Sequence, residues 1–260
     1  MLTYFQLTTP GNASSRAELV CLQIDTGSYH QIQEEVIDAA HARRSSSICF
    51  ANAHMVVEAI RNHHVAESVN NATWVVADGV PLVWAIRAIF KRNQERVTGL
   101  DFLPDLLHRA SQEGLSVYFY GSTPEVLQAT LQTCQQRFPT LRVAGTYSPP
   151  FRSLTPAEED EAVEKIVASG ARLVFVALGC PRQELWIARM RHRIPAVLLG
   201  IGGALPVLAG QFSRAPIWMQ MYGLEWLYRL IQEPTRLFRR YLTTNALFIF
   251  YLFRKHLIIR

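Results

Sequence analysis

Residues 173–184 read Leu173-Val-Phe-Val-Ala-Leu178-Gly179-Cys-Pro-Arg-Gln183-Glu184. Six apolar residues run without interruption and stop at a glycine. A strand with one wet face would alternate; an unbroken apolar run is the signature of a strand covered on both faces. Arg182–Arg191 follows with helical spacing, and Ala196–Gly200 is another unbroken apolar run. Working outward, the same alternation recurs. Ser47–Ala51 leads into a helix near His54–Arg61, Thr73–Ala77 into Pro81–Phe90, and Ser116–Tyr120 into Pro124–Arg137. Leu141–Gly145 precedes a loop with Pro149 and Pro150, then a helix over Pro156–Ser169 that Thr155 would cap, with Glu158 and Glu159 in its first turn. His30–Arg43 predicts a short helix and Leu19–Ile24 a single strand. Strands separated by helices predict a parallel sheet covered by helices on both faces.

The chain has 260 residues, 49% of them apolar, which fits one large domain with a sizeable core, or a domain with an appendage. Its net charge of +5 is unevenly placed. From Arg214 onward eight cations (Arg214, Arg229, Arg236, Arg239, Arg240, Arg254, Lys255, Arg260) face only Glu225 and Glu233, so the first 213 residues carry about −1. A basic tail reads as binding anionic lipid or nucleic acid. The Leu, Phe and Trp content of this one favours lipid, and no nucleic-acid partner is expected. Leu242–Phe253 is apolar but short of the roughly 20 residues a span needs, and it contains Thr243, Thr244 and Asn245. It is expected to lie in the membrane interface. A boundary near Gln211–Pro216 divides a body over residues 1–210 from a helical, basic, apolar appendage over 211–260. The N-terminus has no basic start followed by an apolar run, so no secretory leader is expected. Cys21, Cys49, Cys134 and Cys180 form no C-x-x-C and read as free thiols of a reducing compartment.

In open parallel sheets, ligands sit outside the carboxyl ends of the strands. Five polar or glycine-rich motifs fall there: Asn52, Asp78-Gly79, Gly121-Ser122, Gly179 to Glu184, and Gly200-Ile-Gly202-Gly203. Asp78 is the candidate general base, because partial burial after an apolar strand would raise its proton affinity toward neutrality. On spacing alone it serves equally well as a cap for the helix near Pro81. There is no Asp-x-Asp and no ligand spacing among the histidines; His63-His64 reads as a helix surface. No metal or cofactor is expected, and arginines would supply positive charge to a phosphate. Arg229, Arg236 and Arg240 lie at i, i+7 and i+11, one face of a helix that Pro234 interrupts, with Arg239 off that face.

From about Ser45 to the C-terminus the chain resembles the WecG/TagA/CpsF family, glycosyltransferase family 26. The resemblance rests on Ala77-Asp78-Gly79, Arg96-Val-Thr98-Gly99-Leu-Asp101, Tyr120-Gly121, Gly179-Cys-Pro-Arg-Gln183-Glu184, Gly202-Gly203 with Gly210 and Arg214-Ala-Pro216, and Gly223-Leu-Glu-Trp226 with Arg229, Pro234, Arg236 and Arg239-Arg240. It implies a Rossmann-like α/β body with a membrane-associating helical appendage. It implies metal-independent, inverting transfer of a hexose-type sugar (N-acetylmannosamine, its uronic acid, or glucose) from a UDP-sugar to a polyprenyl-diphosphate-linked sugar. The setting would be the cytoplasmic face of a bacterial plasma membrane, in surface-polysaccharide assembly. By the same resemblance Asp78 deprotonates the acceptor hydroxyl, and Asn52 and Gln183 line the donor or acceptor pocket. Arg96, Thr98 and Asp101 shape the nucleotide-sugar site, with Gly121, Gly179, Glu184, Gly202 and Gly203 around it. Arg229, Arg236 and Arg239 reach diphosphate. One position departs from the pattern: family members commonly carry Thr two places before the pocket Asn, and here Phe50 stands there.

Two other classes compete. A nicotinamide-dependent oxidoreductase would use the same sheet, but Leu205 occupies the last position of a G-x-G-x-x-G fingerprint. A non-catalytic membrane-surface scaffold would use the basic tail alone. Self-association through the apolar appendage is expected off the membrane.

Overall fold

The computed structural model describes residues 16–258. Arg260 lies outside the described residues, and so does the side chain of Arg236. The chain opens with a hairpin, β1 (Arg16–Leu19) and β2 (Leu22–Asp25), where a single strand over Leu19–Ile24 was expected. Val20 turns the chain with φ of 59°, so the apolar run folds back on itself. Buried Asp25 then ties the hairpin to the body, accepting from Arg16 Nε at 3.0 Å and from the backbone N–H of Val75 at 2.7 Å.

The body follows in the order α1 (Tyr29–His41), β3 (Ser46–Ala51), α2 (Ala53–Arg61), α3 (His63–Asn70), β4 (Trp74–Ala77), α4 (Val80–Phe90) and α5 (Gly99–Glu113). It continues through β5 (Ser116–Gly121), α6 (Pro124–Arg137), β6 (Arg142–Tyr147), α7 (Pro156–Ala168), β7 (Leu173–Ala177), α8 (Arg182–Met190), β8 (Val197–Gly200) and α9 (Ala204–Leu208). Ser28, Asn52, Thr98, Thr123 and Thr155 cap their helices through side-chain oxygens, and Thr155 with Glu158 forms a full capping box. α5 is absent from the pattern reading, because Gly99 and Pro104 punctuate it. It forms because Phe102, Leu103, Leu106, Leu107 and Ala110 share one buried face, which outweighs the hydrogen bond that Pro104 cannot make.

β3 to β8 make one six-stranded parallel sheet in the order β4-β3-β8-β7-β5-β6. Side chains alternate across it. Ile48, Phe50, Phe119, Phe175 and Leu199 pack under α1, α5, α6 and α9. Cys49, Val75 and Ala77 pack on the opposite face with the hairpin, α2, α3 and α4, while Tyr120, Val174, Val176 and Leu198 pack there with α7 and α8.

Beyond the body come α10 (Ile217–Met221), α11 (Glu225–Gln232) and α12 (Pro234–Phe253). Pro234 begins α12, so the arginine spacing at 229, 236 and 240 does not run along one helix. α12 returns across α2, burying Leu237, Thr244 and Phe248. Lys255 reaches Glu18 and the carbonyl of Val20.

Gly121 shows how tightly the strand ends fit. Its φ is +105°, and a Cβ there would lie 2.6 Å from the Ala177 carbonyl oxygen on the neighbouring strand. Gly121→Ala is therefore expected to cost at least about 2 kcal/mol in strain, seen as a lower denaturant midpoint with an unchanged m value.

Candidate active site

β3 and β8 are neighbours, yet α2 and α9 leave them toward opposite faces of the sheet. Their own crossovers therefore leave the carboxyl edge between them uncovered, the place where open sheets form a ligand crevice. Asp78 lies at its edge, one residue past β4, with its backbone N–H bonded to the Ala51 carbonyl at 2.9 Å. The next segment is laid against the same strand end, Val97 N–H donating to the Ala77 carbonyl at 2.9 Å. That bond brings Arg96, Thr98 and Asp101 to the crevice.

Asp78 does not cap α4: the cap position is Gly79, with no side-chain hydrogen bond. Asp78 is instead half-buried at this edge. Burial pushes its pKa up to about 7; Glu225 and Asp101 push the same way, while Arg96 and Arg229 oppose them. Asn52 lies beside it across Gly79, caps α2 by accepting from Met55 N–H at 3.1 Å, and keeps its NH₂ unengaged among the described residues.

Arg229 closes the other side. A Cβ at Gly203 would lie 2.6 Å from Arg229 Nη2, so the guanidinium rests on the one residue type that admits it. Among the described residues Arg229 has no ion-pair partner. The neighbouring arginines do. Arg96 Nη1 meets Glu225 Oε2 at 3.3 Å and its Nη2 lies 3.7 Å from Asp101; Arg214 pairs with Asp101, and its Nε lies 3.7 Å from Glu225. Arg96, Asp101, Arg214 and Glu225 thus close a ring of alternating charge. Thr98 supports it from below, capping α5 and lying 3.4 Å from Asp101 Oδ2.

The structure spreads the other expected site residues along the sheet. Gln183 is 4% exposed and fully engaged: Oε1 accepts from Gly179 N–H at 3.2 Å, and Nε2 donates to the Gly200 carbonyl at 3.0 Å and to Glu184 at 2.7 Å. It braces the ends of β7 and β8 and packs against Gly200 and Gly202. Glu184 is 1% exposed, and burial raises its pKa. Gly121 and Gly179 border a separate cleft of about 430 Å³, lined by Tyr120, Ser122, Phe151, Arg152, Arg182 and Trp186. Arg239 is exposed on α12. Arg240 is the half-buried one, its charge helping burial to lower the pKa of His54 on α2. Phe50 does not enter the crevice: its ring is buried edge-on to Phe102, 5.5 Å between centroids.

Residues 17–260 match the family described as "Glycosyl transferase WecG/TagA/CpsF family". The chain belongs to the WecG/TagA/CpsF family. Among its curated relatives is the N-acetylglucosaminyldiphosphoundecaprenol N-acetyl-beta-D-mannosaminyltransferase of Bacillus spizizenii, 35% identical over 194 residues, which are 74% of either chain. Family membership decides between the competing classes in favour of a glycosyltransferase. Neither Arg214 nor Glu225 had been singled out as a site residue. Both stand in family motifs, but their partners lie 113 and 129 residues away, and no local spacing announces such pairs.

Gly203→Ala tests the crevice directly. The backbone φ at Gly203 is −72°, which alanine accepts, and the clash is with the far end of a flexible side chain. The variant is expected to keep its thermal midpoint within a few degrees while transfer falls at least tenfold, because Arg229 is pushed off its seat.

Proposed function

We propose that this protein is an inverting glycosyltransferase that moves a hexose-type sugar from a UDP-sugar to a polyprenyl-diphosphate-linked sugar. The observation that carries the reading is the pairing, at one strand-end edge, of a carboxyl with its pKa raised to about 7 and a guanidinium that has no ion-pair partner among the described residues. Asp78 takes the proton from the acceptor hydroxyl as the hydroxyl oxygen attacks the anomeric carbon of the donor. The bond from that carbon to the diphosphate breaks on the opposite side, which inverts the configuration, and UDP leaves with the bonding electrons. Arg229, joined by Arg239 from α12, meets the charge that grows on the diphosphate. The cleft beside Gly121 and Gly179 takes the uridine. It lies three to four strand spacings from Asp78, roughly 14–19 Å across the sheet edge, a separation that the uridine, diphosphate and sugar of the donor span together. The Bacillus relative makes N-acetylmannosamine the first donor sugar to test, and N-acetylglucosamine on a polyprenyl diphosphate the first acceptor.

A lipid acceptor requires a membrane. No described helix is long and apolar enough to cross one. The appendage instead displays Ile217, Trp218 and Met221 on α10, Tyr222 just past it, and Phe238, Leu242, Ile249, Phe250 and Phe253 along the outer side of α12. We place this surface at the headgroup boundary of the cytoplasmic leaflet, with the tail's arginines toward anionic lipid. Off the membrane the same apolar surface favours self-association.

Two experiments follow. The first measures UDP release from a panel of UDP-sugars, with and without the lipid-diphosphate acceptor. Wild type should release UDP from one donor only when acceptor is present, and Asp78→Asn should lose at least about 100-fold. Because the base acts without its proton, kcat/KM should fall tenfold per pH unit below about 7. The raised pKa means that stability from protonated Asp78 is complete below pH 3.8 and lost as pH rises through about 7. Asp78→Asn should therefore melt no lower than wild type at pH 8; an inactive variant that is also much less stable would remove the assignment. The second places Glu at Leu242 and Phe250 together. Binding to vesicles containing anionic phospholipid should weaken at least tenfold with UDP affinity unchanged, and undiminished vesicle binding would exclude this face of α12.

A further inference from the structure

α11 carries Arg229, yet little apolar packing holds it. Its one buried residue is Glu225, 9% exposed; Tyr228 and Leu230 are only half-buried, Trp226 meets the Tyr241 ring edge-on, and Ile231 lies open to solvent. A helix whose inward anchor is a carboxylate is seated by charge. Glu225 meets Arg96 of the body at 3.3 Å and Arg214 at 3.7 Å, and Arg214 reaches back to Asp101 at the start of α5. The appendage side is tied into one unit by a second device: Ser213 N–H donates to Gln232 Oε1 at 2.9 Å, and Gln232 Nε2 donates to the Ser213 carbonyl at 3.0 Å. Segment 213–232 is thus clasped at its ends and joined to the body through the charge ring.

Arg229 follows Glu225 by four residues, which places both on one side of α11, one turn apart. Fixing Glu225 therefore fixes the approach of Arg229 to Gly203. The ring's two arginines and two carboxylates balance, so they hold position without presenting net charge, while Arg229 has no ion-pair partner among the described residues.

We infer that Glu225 is a positioning residue for sugar transfer: through Arg96 and Arg214 it seats α11 on the body and sets Arg229 on Gly203 facing Asp78. This rests on the reading of Asp78 as the base. The charged groups that face Asp78 are Arg96 and Asp101 from the segment leading into α5, and Glu225 and Arg229 from α11. Removing the charge of Glu225 takes a negative neighbour from Asp78 and leaves Arg96 freer to attract its carboxylate. Both changes ease loss of the proton, so the acid limb of the pH profile must move to lower pH. A helix that was merely loosened would also admit water to Asp78 and lower its pKa, so Gln232→Ala, which loosens the segment with the ring intact, is the control for that effect.

The test uses the full-length protein with anionic vesicles, UDP-N-acetylmannosamine and a synthetic polyprenyl-diphosphate-N-acetylglucosamine. It compares wild type with Glu225→Gln, Glu225→Asp and Gln232→Ala. Glu225→Gln should lose about tenfold in affinity for UDP, measured by calorimetry, and at least tenfold in kcat, with its acid limb shifted down by half a pH unit or more. Glu225→Asp keeps the charge and should hold its acid limb near that of wild type, which keeps the inference testable if the Gln variant does not fold. Gln232→Ala opens the clasp without touching the ring and should leave the acid limb in place. Equal losses in both Glu225 variants with an unmoved acid limb would overturn the inference while the transfer reaction stands. A wild type that neither binds UDP nor turns over would instead overturn the reaction on which it rests.

Discussion

β3 and β8 lie side by side, and the helices that follow them depart to opposite faces of the sheet. A parallel sheet buries its faces under helices but cannot bury the edge where its crossovers diverge. The remaining features of the site follow from that opening. Asn52 and Asp78 are there because they are the first residues past β3 and β4, and Gly203 because it stands at the N-cap of α9, three residues past β8. The crevice walls remove enough water from Asp78 to lift its pKa to about 7, and the opening still leaves it within reach of a substrate. A carboxylate on a flat protein surface would stay ionised and be a poorer base near neutral pH.

Charge at the crevice is divided between two tasks. Arg96, Arg214, Asp101 and Glu225 satisfy one another and join three distant segments. Arg229 is kept out of this arrangement by geometry: it rests on a glycine, one turn beyond the ring, with no carboxylate in ion-pairing distance among the described residues. A fixed, unpaired cation costs no reorganisation when negative charge develops on a leaving group, which is the condition under which electrostatic stabilisation is most effective. The ring holds the appendage helix without using the charge the proposed chemistry needs.

The appendage also has two surfaces with opposite demands. Leu237, Thr244 and Phe248 turn inward against α2, whereas Phe238, Leu242, Ile249, Phe250 and Phe253 face outward. A helix that is apolar on both sides is accounted for when one side meets protein and the other meets lipid. The body it rests on carries Asp78 and Asn52, so the proposed lipid-facing side and the crevice belong to one packed unit.

The sequence by itself determined the class of fold, because unbroken apolar runs such as Leu173–Leu178 and Ala196–Gly200, too short for helices and set between helical stretches, fit the inner strands of a doubly covered sheet. Polar and glycine motifs at their ends located the candidate site, and the family's motifs named its reaction class. It was silent where two signals overlapped. Val20 folded an apparent single strand into a hairpin, and Pro104 disguised α5, since breaker residues in a window outweigh an apolar face that only the sheet can reward. Only the tertiary structure decided which side chains meet. Gln183 became an internal brace, Phe50 turned into the core, and Glu225 found Arg96 129 residues away. Local patterns record how a segment buries itself; pairing across that distance is set by strand order and crossover direction, and neither leaves a periodic trace in the chain.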